Sequence, residues 1–125
     1  MGYISTVTGS LNFSRPLDQF EYPALLDAFR QTSGGTNYPF TAGQLGIYAD
    51  EADLGKYYHL EADLKILVNA LPSDVEVTGF IERIGEQWPD AERLYPLPTT
   101  RQVMSVRAAI TWTGPGGQTE TITSE

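Results

Sequence analysis

The stretch from Val75 to Trp112 constrains the fold of this chain most, because it reads as three consecutive strands. Val75, Val77 and Ile81 alternate with Glu76, Thr78 and Glu82, the period of two of a pleated ribbon with one dry face. Gln87, Trp88, Pro89 and Asp90 supply a turn. Ala91 to Leu97 resumes the ribbon until Pro96 and Pro98 stop it, since proline lacks the amide proton that a central ladder needs. Met104, Val106, Ala108, Ile110 and Trp112 form the cleanest alternation of all and predict a third strand with these side chains on its dry side. An antiparallel meander with one dry face needs a lid, which the helices of the first half are expected to provide.

Upstream, Ile4 to Phe13 predicts a half-buried strand with Val7, Gly9, Leu11 and Phe13 in one parity, and Gly9 marks a bulge or a close backbone approach. Arg15-Pro16 ends it, and Asp18 is placed to cap a helix from near Tyr22 to Thr32, with Pro23 in the first turn and Gly34-Gly35 as the stop. Thr36 to Gly46 holds Asn37, Pro39, Gly43 and Gly46 and predicts a loop, with a short strand over Leu45 to Ala49. Asp50 to Tyr58 is acidic and aromatic without clear period. Leu60, Leu64, Leu67, Val68 and Leu71 then share one helical face, the strongest helix signal in the chain, which Pro72 terminates. Gly114-Pro115-Gly116-Gly117 reads as a flexible exit from the sheet. The alternating threonines 119, 121 and 123 either pair with a sheet edge or fray. At 125 residues the chain predicts one α+β domain: an antiparallel sheet of four to five strands, two helices on one face, and a long loop between the helices.

Charge excludes more functions than it suggests. The formal net charge is −8, and the surplus lies in residues 50 to 92, where Asp50, Glu51, Asp53, Glu61, Asp63, Asp74, Glu76, Glu82, Glu86, Asp90 and Glu92 face only Lys56, Lys65 and Arg83. Without a basic stripe, direct nucleic-acid binding is not expected. An acidic face suits a basic protein partner, although a surplus of carboxylates also serves solubility alone. The absence of cysteine removes disulfides, thiolate metal sites and cysteine nucleophiles. No basic segment precedes an apolar run at the N-terminus, and no window approaches the ~18 apolar residues of a membrane span, so a cytoplasmic location is expected.

Asp50, Gly55 and Glu61 match positions one, six and twelve of an EF-hand, yet Ala52 and Leu54 stand where oxygen ligands belong, so no calcium loop and no other metal or cofactor is expected. His59, the only histidine, sits beside an apolar stripe and predicts a structural role before a catalytic one. Glu76 and Glu82 share one parity, as wet-face charges on strands commonly do, and neither a Walker loop nor a dinucleotide fingerprint is present. Met1-Gly2 with Thr6 fits only the bare myristoylation pattern. Tyr38, Phe40, Tyr48, Tyr57 and Tyr58, with Asp50, Glu51, Asp53 and His59, therefore form the candidate binding region. Rings that merely seal the core are the competing reading.

Met1-Gly2-Tyr3, Thr8-Gly9, Pro16-Leu17, Gly79-Phe80-Ile81-Glu82, Gly85-Glu86, Asp90, Arg93-Leu94 and Ala109-Ile110-Thr111-Trp112 together resemble small proteins of unassigned function from actinobacteria and their phages. Gln31 to Leu60 has no counterpart in that resemblance. It implies a phage or bacterial cytoplasmic accessory protein and carries no catalytic residues. The expected function is a non-enzymatic binding protein, phage-encoded as the resemblance implies, that engages a host protein through its acidic, tyrosine-rich middle. The alternatives are a protein that sequesters a nucleotide-like molecule beneath residues 36 to 58 and, third, a small hydrolase. Open sheet edges also make a two-fold homodimer the default mode of self-association.

Overall fold

The β-rich character expected from residue 75 onward extends over most of the chain. A computed structural model describes residues 4–32, 40–55, 59–87, 89–97 and 100–123. The elements are β1 (Ile4–Phe13), α1 (Glu21–Ala28) with a 3-10 turn (Phe29–Gln31), β2 (Thr41–Ala42), β3 (Gly46–Gly55), α2 (Leu60–Asn69), β4 (Val77–Gly85), β5 (Ala91–Pro96), β6 (Val103–Arg107), β7 (Ala109–Thr113) and β8 (Thr119–Thr123). The fold is α+β with two α-helices. Six strands form one antiparallel sheet in the order β2-β3-β1-β4-β5-β6, and β7 and β8 form a separate two-stranded ribbon. The strand count exceeds the four to five expected.

β1 is the strand on which the sheet is assembled, because it pairs with β3 on one side and β4 on the other. Val7, Leu11 and Phe13 point to the dry face, as their parity requires, and join Ile47, Ile81 and Leu94 in one core. Leu25 and Phe29 from the first helical segment, and Leu60, Leu64, Leu67 and Val68 from α2, close that core. Each such side chain, fully buried, contributes about 1.5–3 kcal/mol. Asp18 caps α1 as expected, its Oδ1 accepting from the amides of Phe20 and Glu21 at 2.8 Å each.

The long inter-helix loop is corrected. Residues 41–42 and 46–55 are strands, and the second of these is ten residues long. Its period was hidden by a bulge: the β1–β3 register shifts between Val7 and Gly9, and Glu51 opposite the shift has φ 52°. The short strand expected over Leu45 to Ala49 falls in the first half of β3, and the bulge, which changes parity midway, hides the continuation to Gly55. The expected strand from Met104 to Trp112 is corrected as well. It divides at Ala108, whose amide still bonds the Ala91 carbonyl at 2.9 Å before the chain leaves the sheet. The glycines at 114–117 are the ribbon's turn instead of an exit, with Gly114 N–H donating to Gln118 O at 2.7 Å, and the threonine tail pairs with β7.

Two glycines permit the close approach of β1 and β4. Gly9 has φ 121° and Gly79 φ 98°, and a Cβ at either would collide with the carbonyl oxygen of Phe80 or Ser10 respectively. Gly9→Ala is expected to cost about 3 kcal/mol, because strained backbone and a displaced ladder add together. Urea unfolding at neutral pH measures this, and a loss below 1 kcal/mol would show that the seam tolerates a side chain.

Candidate functional site

Residues of opposite parity make the two faces of the main sheet chemically different, and each face carries one notable row. On the inner face, Val7, Arg83, Glu92 and Arg107 are register partners across four adjacent strands. The apolar inner surface thus ends in charge. Arg83 donates through Nε to Glu92 Oε1 at 2.9 Å, through Nη2 to Asp90 Oδ1 at 2.8 Å and through Nη1 to Ser5 Oγ at 3.0 Å. Ser105 Oγ donates to Glu92 Oε2 at 2.6 Å. The side chains of Arg83 and Glu92 are only 14% and 13% exposed, so pairing is what makes their burial affordable.

This network is built to hold charge in place. Burial pushes the Glu92 carboxyl upward, but the hydrogen bonds from Ser105 and Arg83 and the charges of Arg83 and Arg107 outweigh it, leaving the pKa below the usual glutamate value. Asp90, ahead of Glu92, raises the Arg83 pKa. Glu92 is therefore an anion committed to Arg83. A second network ties the β1–α1 link to the α2–β4 link: Arg15 donates to Glu21 at 2.7 Å and to Asp74 at 2.8 Å. Arg15, assisted by the Asp18 amide, lowers the Glu21 pKa to about 2, and Arg15 also lowers that of Asp74.

Among the described residues the outer face carries no helix layer. Its corresponding row is Thr8, Glu82, Arg93 and Val106. Arg93 bonds Glu82 at 3.0 Å and stacks over the Phe80 ring at 4.4 Å, while Phe80 and Tyr95 lie 5.4 Å apart, ring centre to ring centre. Ile84, Met104 and Val106 surround this group and are 42%, 48% and 45% exposed. Between β4, β5 and the end of β6 lies an open groove of about 390 Å³ with Ile84, Tyr95 and Val106 on its walls. The expectation that Met104 and Val106 face the core is thus overturned. Their strand buries Val103 from the other parity, and the even-numbered side chains face outward.

The sequence-based candidates fall at the opposite rim. Tyr48 is half-buried on β3, and Asp50, Glu51 and Asp53 are exposed at its bulged end. Tyr48, Asp50 and Glu51 meet Thr8 and Ser10 of β1 along a shallow open surface. Phe40 is buried in the core. His59 is exposed just before α2 and presents its carbonyl to the Asp63 amide at 2.9 Å, with no carboxylate pair converging on it among the described residues. Tyr38, Tyr57 and Tyr58 lie outside the described residues, as do both ends of the 36 to 58 stretch beneath which a pocket is expected. Glu76 precedes β4 and Glu82 lies on its outer face, so they do not form a strand-borne pair. Among the described residues no group of three histidine or acidic side chains is arranged to hold a metal. No helix of the described chain is long and apolar enough to cross a membrane. The Arg83 network was missed at the sequence level, although Arg83 shares the parity of Ile81, and Glu92 that of Leu94, which is the signal for charge on a dry face. Scans of family models, curated proteins and solved structures find no match to this chain.

Acid should reveal the networks. Glu21 and Glu92 have lower pKa values folded than unfolded, so their stabilisation is complete above the ordinary glutamate range and is lost as pH falls through their folded values, which for Glu21 is about 2. Thermal unfolding is expected to drop across that window. Arg83→Met, which strands Glu92, should flatten the drop and cost ~2–3 kcal/mol at neutral pH, short of a fully buried pair. An unchanged acid limb in this variant would show that Glu92 is not held by Arg83.

Proposed function

We propose that this protein is a non-enzymatic binding module that engages another protein through the outer face of its sheet. One observation carries the reading: Ile84, Met104 and Val106 on the outer face, like Trp112 on the separate ribbon, are left exposed while the same sheet's other face is closed by helices. Contiguous apolar surface rimmed by charge marks interaction sites. The aromatic pair Phe80–Tyr95 and the half-exposed Arg93 supply residue types that anchor interfaces. Tyr48, Asp50 and Glu51 form the acidic rim of the same face and would favour a partner with a basic border. The ionic groups of the inner face are already engaged with one another, which fits scaffolding better than turnover. The resemblance to phage and actinobacterial proteins suits a host protein as one class of partner, and a second copy of this chain is the other.

A photo-crosslinking residue placed at Val106 is expected to form protein adducts in a cell lysate, and one placed at exposed Glu76 is not. The adducts at 106 should vanish when Ile84→Glu is added. Equal adducts at both positions, or none at 106, would contradict the reading.

A further inference from the structure

We infer that the occupant of the outer face is a second copy of this chain, with the β7–β8 ribbon of each protomer lying across the β4–β6 outer face of its two-fold mate. The inference rests on the outer face being a protein-binding surface. β7 and β8 pair with each other from Ala109↔Thr123 to Thr113↔Thr119 and join no strand of the main sheet. A two-stranded ribbon alone in water is marginal; a further strand or a packed face is what secures it. Its two sides are unlike. Ile110, Trp112, Glu120 and Ile122 share one side, and Thr111, Thr113, Thr119, Thr121 and Thr123 the other. Trp112 is 61% exposed, so the ribbon offers its largest apolar side chain to solvent.

The outer face offers the complement. The groove of about 390 Å³ beside the ribbon's root has apolar walls at Ile84, Tyr95 and Val106, room for an indole ring, and Arg93 at its edge. Glu120 is the direct cross-strand partner of Trp112 and the one charge on the ribbon's apolar side among the described residues. An indole seated in the groove brings Glu120 toward Arg93, a pairing of opposite sign. Each chain carries both the ribbon and the groove, so a two-fold axis satisfies both at once, as an isologous interface requires.

Charge distribution favours this end of the molecule for self-association. Residues 93–123 hold Arg93, Arg101 and Arg107 against Glu120, and the nearby Glu82, Asp90 and Glu92 are bonded to Arg93 or Arg83. Two molecules of net charge −8 can thus meet without apposing their acidic surplus. The other open edge, along β3, bears Asp50, Glu51 and Asp53 at a bulge, features that discourage strand pairing there.

Sedimentation equilibrium of the purified full chain tests this directly. The expected mass is twice 13.8 kDa at micromolar concentration. Trp112→Glu and Val106→Glu are each expected to give monomers with unchanged far-ultraviolet circular dichroism, whereas Phe20→Glu, at an exposed apolar residue elsewhere, stays dimeric. Arg93→Glu and Glu120→Arg should each weaken the dimer, and the two combined should restore it. A monomeric wild type, or a dimer indifferent to Trp112→Glu, overturns the inference. A monomer whose Val106 crosslinks to a different protein leaves the binding face standing and removes only the second copy; a monomer without adducts removes both.

Discussion

Everything in this fold hangs on the close contact of β1 with its two neighbours. β1 is the strand through which the β2–β3 half of the sheet joins the β4–β6 half, and it is fully paired along β4 from Ser5↔Gly85 to Phe13↔Val77. Gly9 and Gly79 adopt backbone angles that side chains resist, each beneath a carbonyl oxygen of the opposing strand. The seam fixes register, and register fixes face. A slip of one residue would turn Val7, Leu11 and Ile81 outward, so the dry face, the helical lid and the charged row at Arg83 all follow from this pairing.

Charge then sets where the core stops. Arg83 and Glu92 occupy positions whose parity points inward, and they are tolerated because Asp90, Ser5 and Ser105 complete their hydrogen bonds. Such a row adds little net stability over apolar side chains, but losing one member strands the rest. Arg101 plays a comparable part after α2. Held at φ 61°, it donates to the carbonyls of Pro72 and Val75 and thereby secures the turn into β4. These ties place β4 and β5 firmly enough for their outer face to present a defined surface.

Much of this was legible in the residues. β1 ends where Arg15-Pro16 ends it, Asp18 caps α1, and the five-residue stripe from Leu60 to Leu71 is buried as its spacing demands. Only the first part of β3 was legible, as the short strand over Leu45 to Ala49, because the bulge at Glu51 breaks the alternation that strand recognition depends on. The row from Met104 to Trp112 shows a subtler limit. Alternation reports that a strand has two unlike faces; it does not report whether the apolar one meets the same chain, a second molecule or water. The acidic and tyrosine residues of the middle were recognised as a group, and of these Tyr48, Asp50 and Glu51 share one rim of the outer face. The apolar centre of that face was assigned to the core instead.

Surface hydrophobes scattered singly need no account, but a group of them on one sheet face beside an unpartnered ribbon that exposes Trp112 does. A ribbon with no neighbour exchanges its amide hydrogens quickly, and one packed on a partner does not. Hydrogen exchange of the amides of residues 109–123, followed in the purified protein at low and high concentration, therefore tests the central claim most directly. Slowing of exchange in β7 and β8 as concentration rises, with β1 and β4 unchanged, is the predicted result. Fast exchange of the ribbon at every concentration, unaltered by any captured protein, would contradict it.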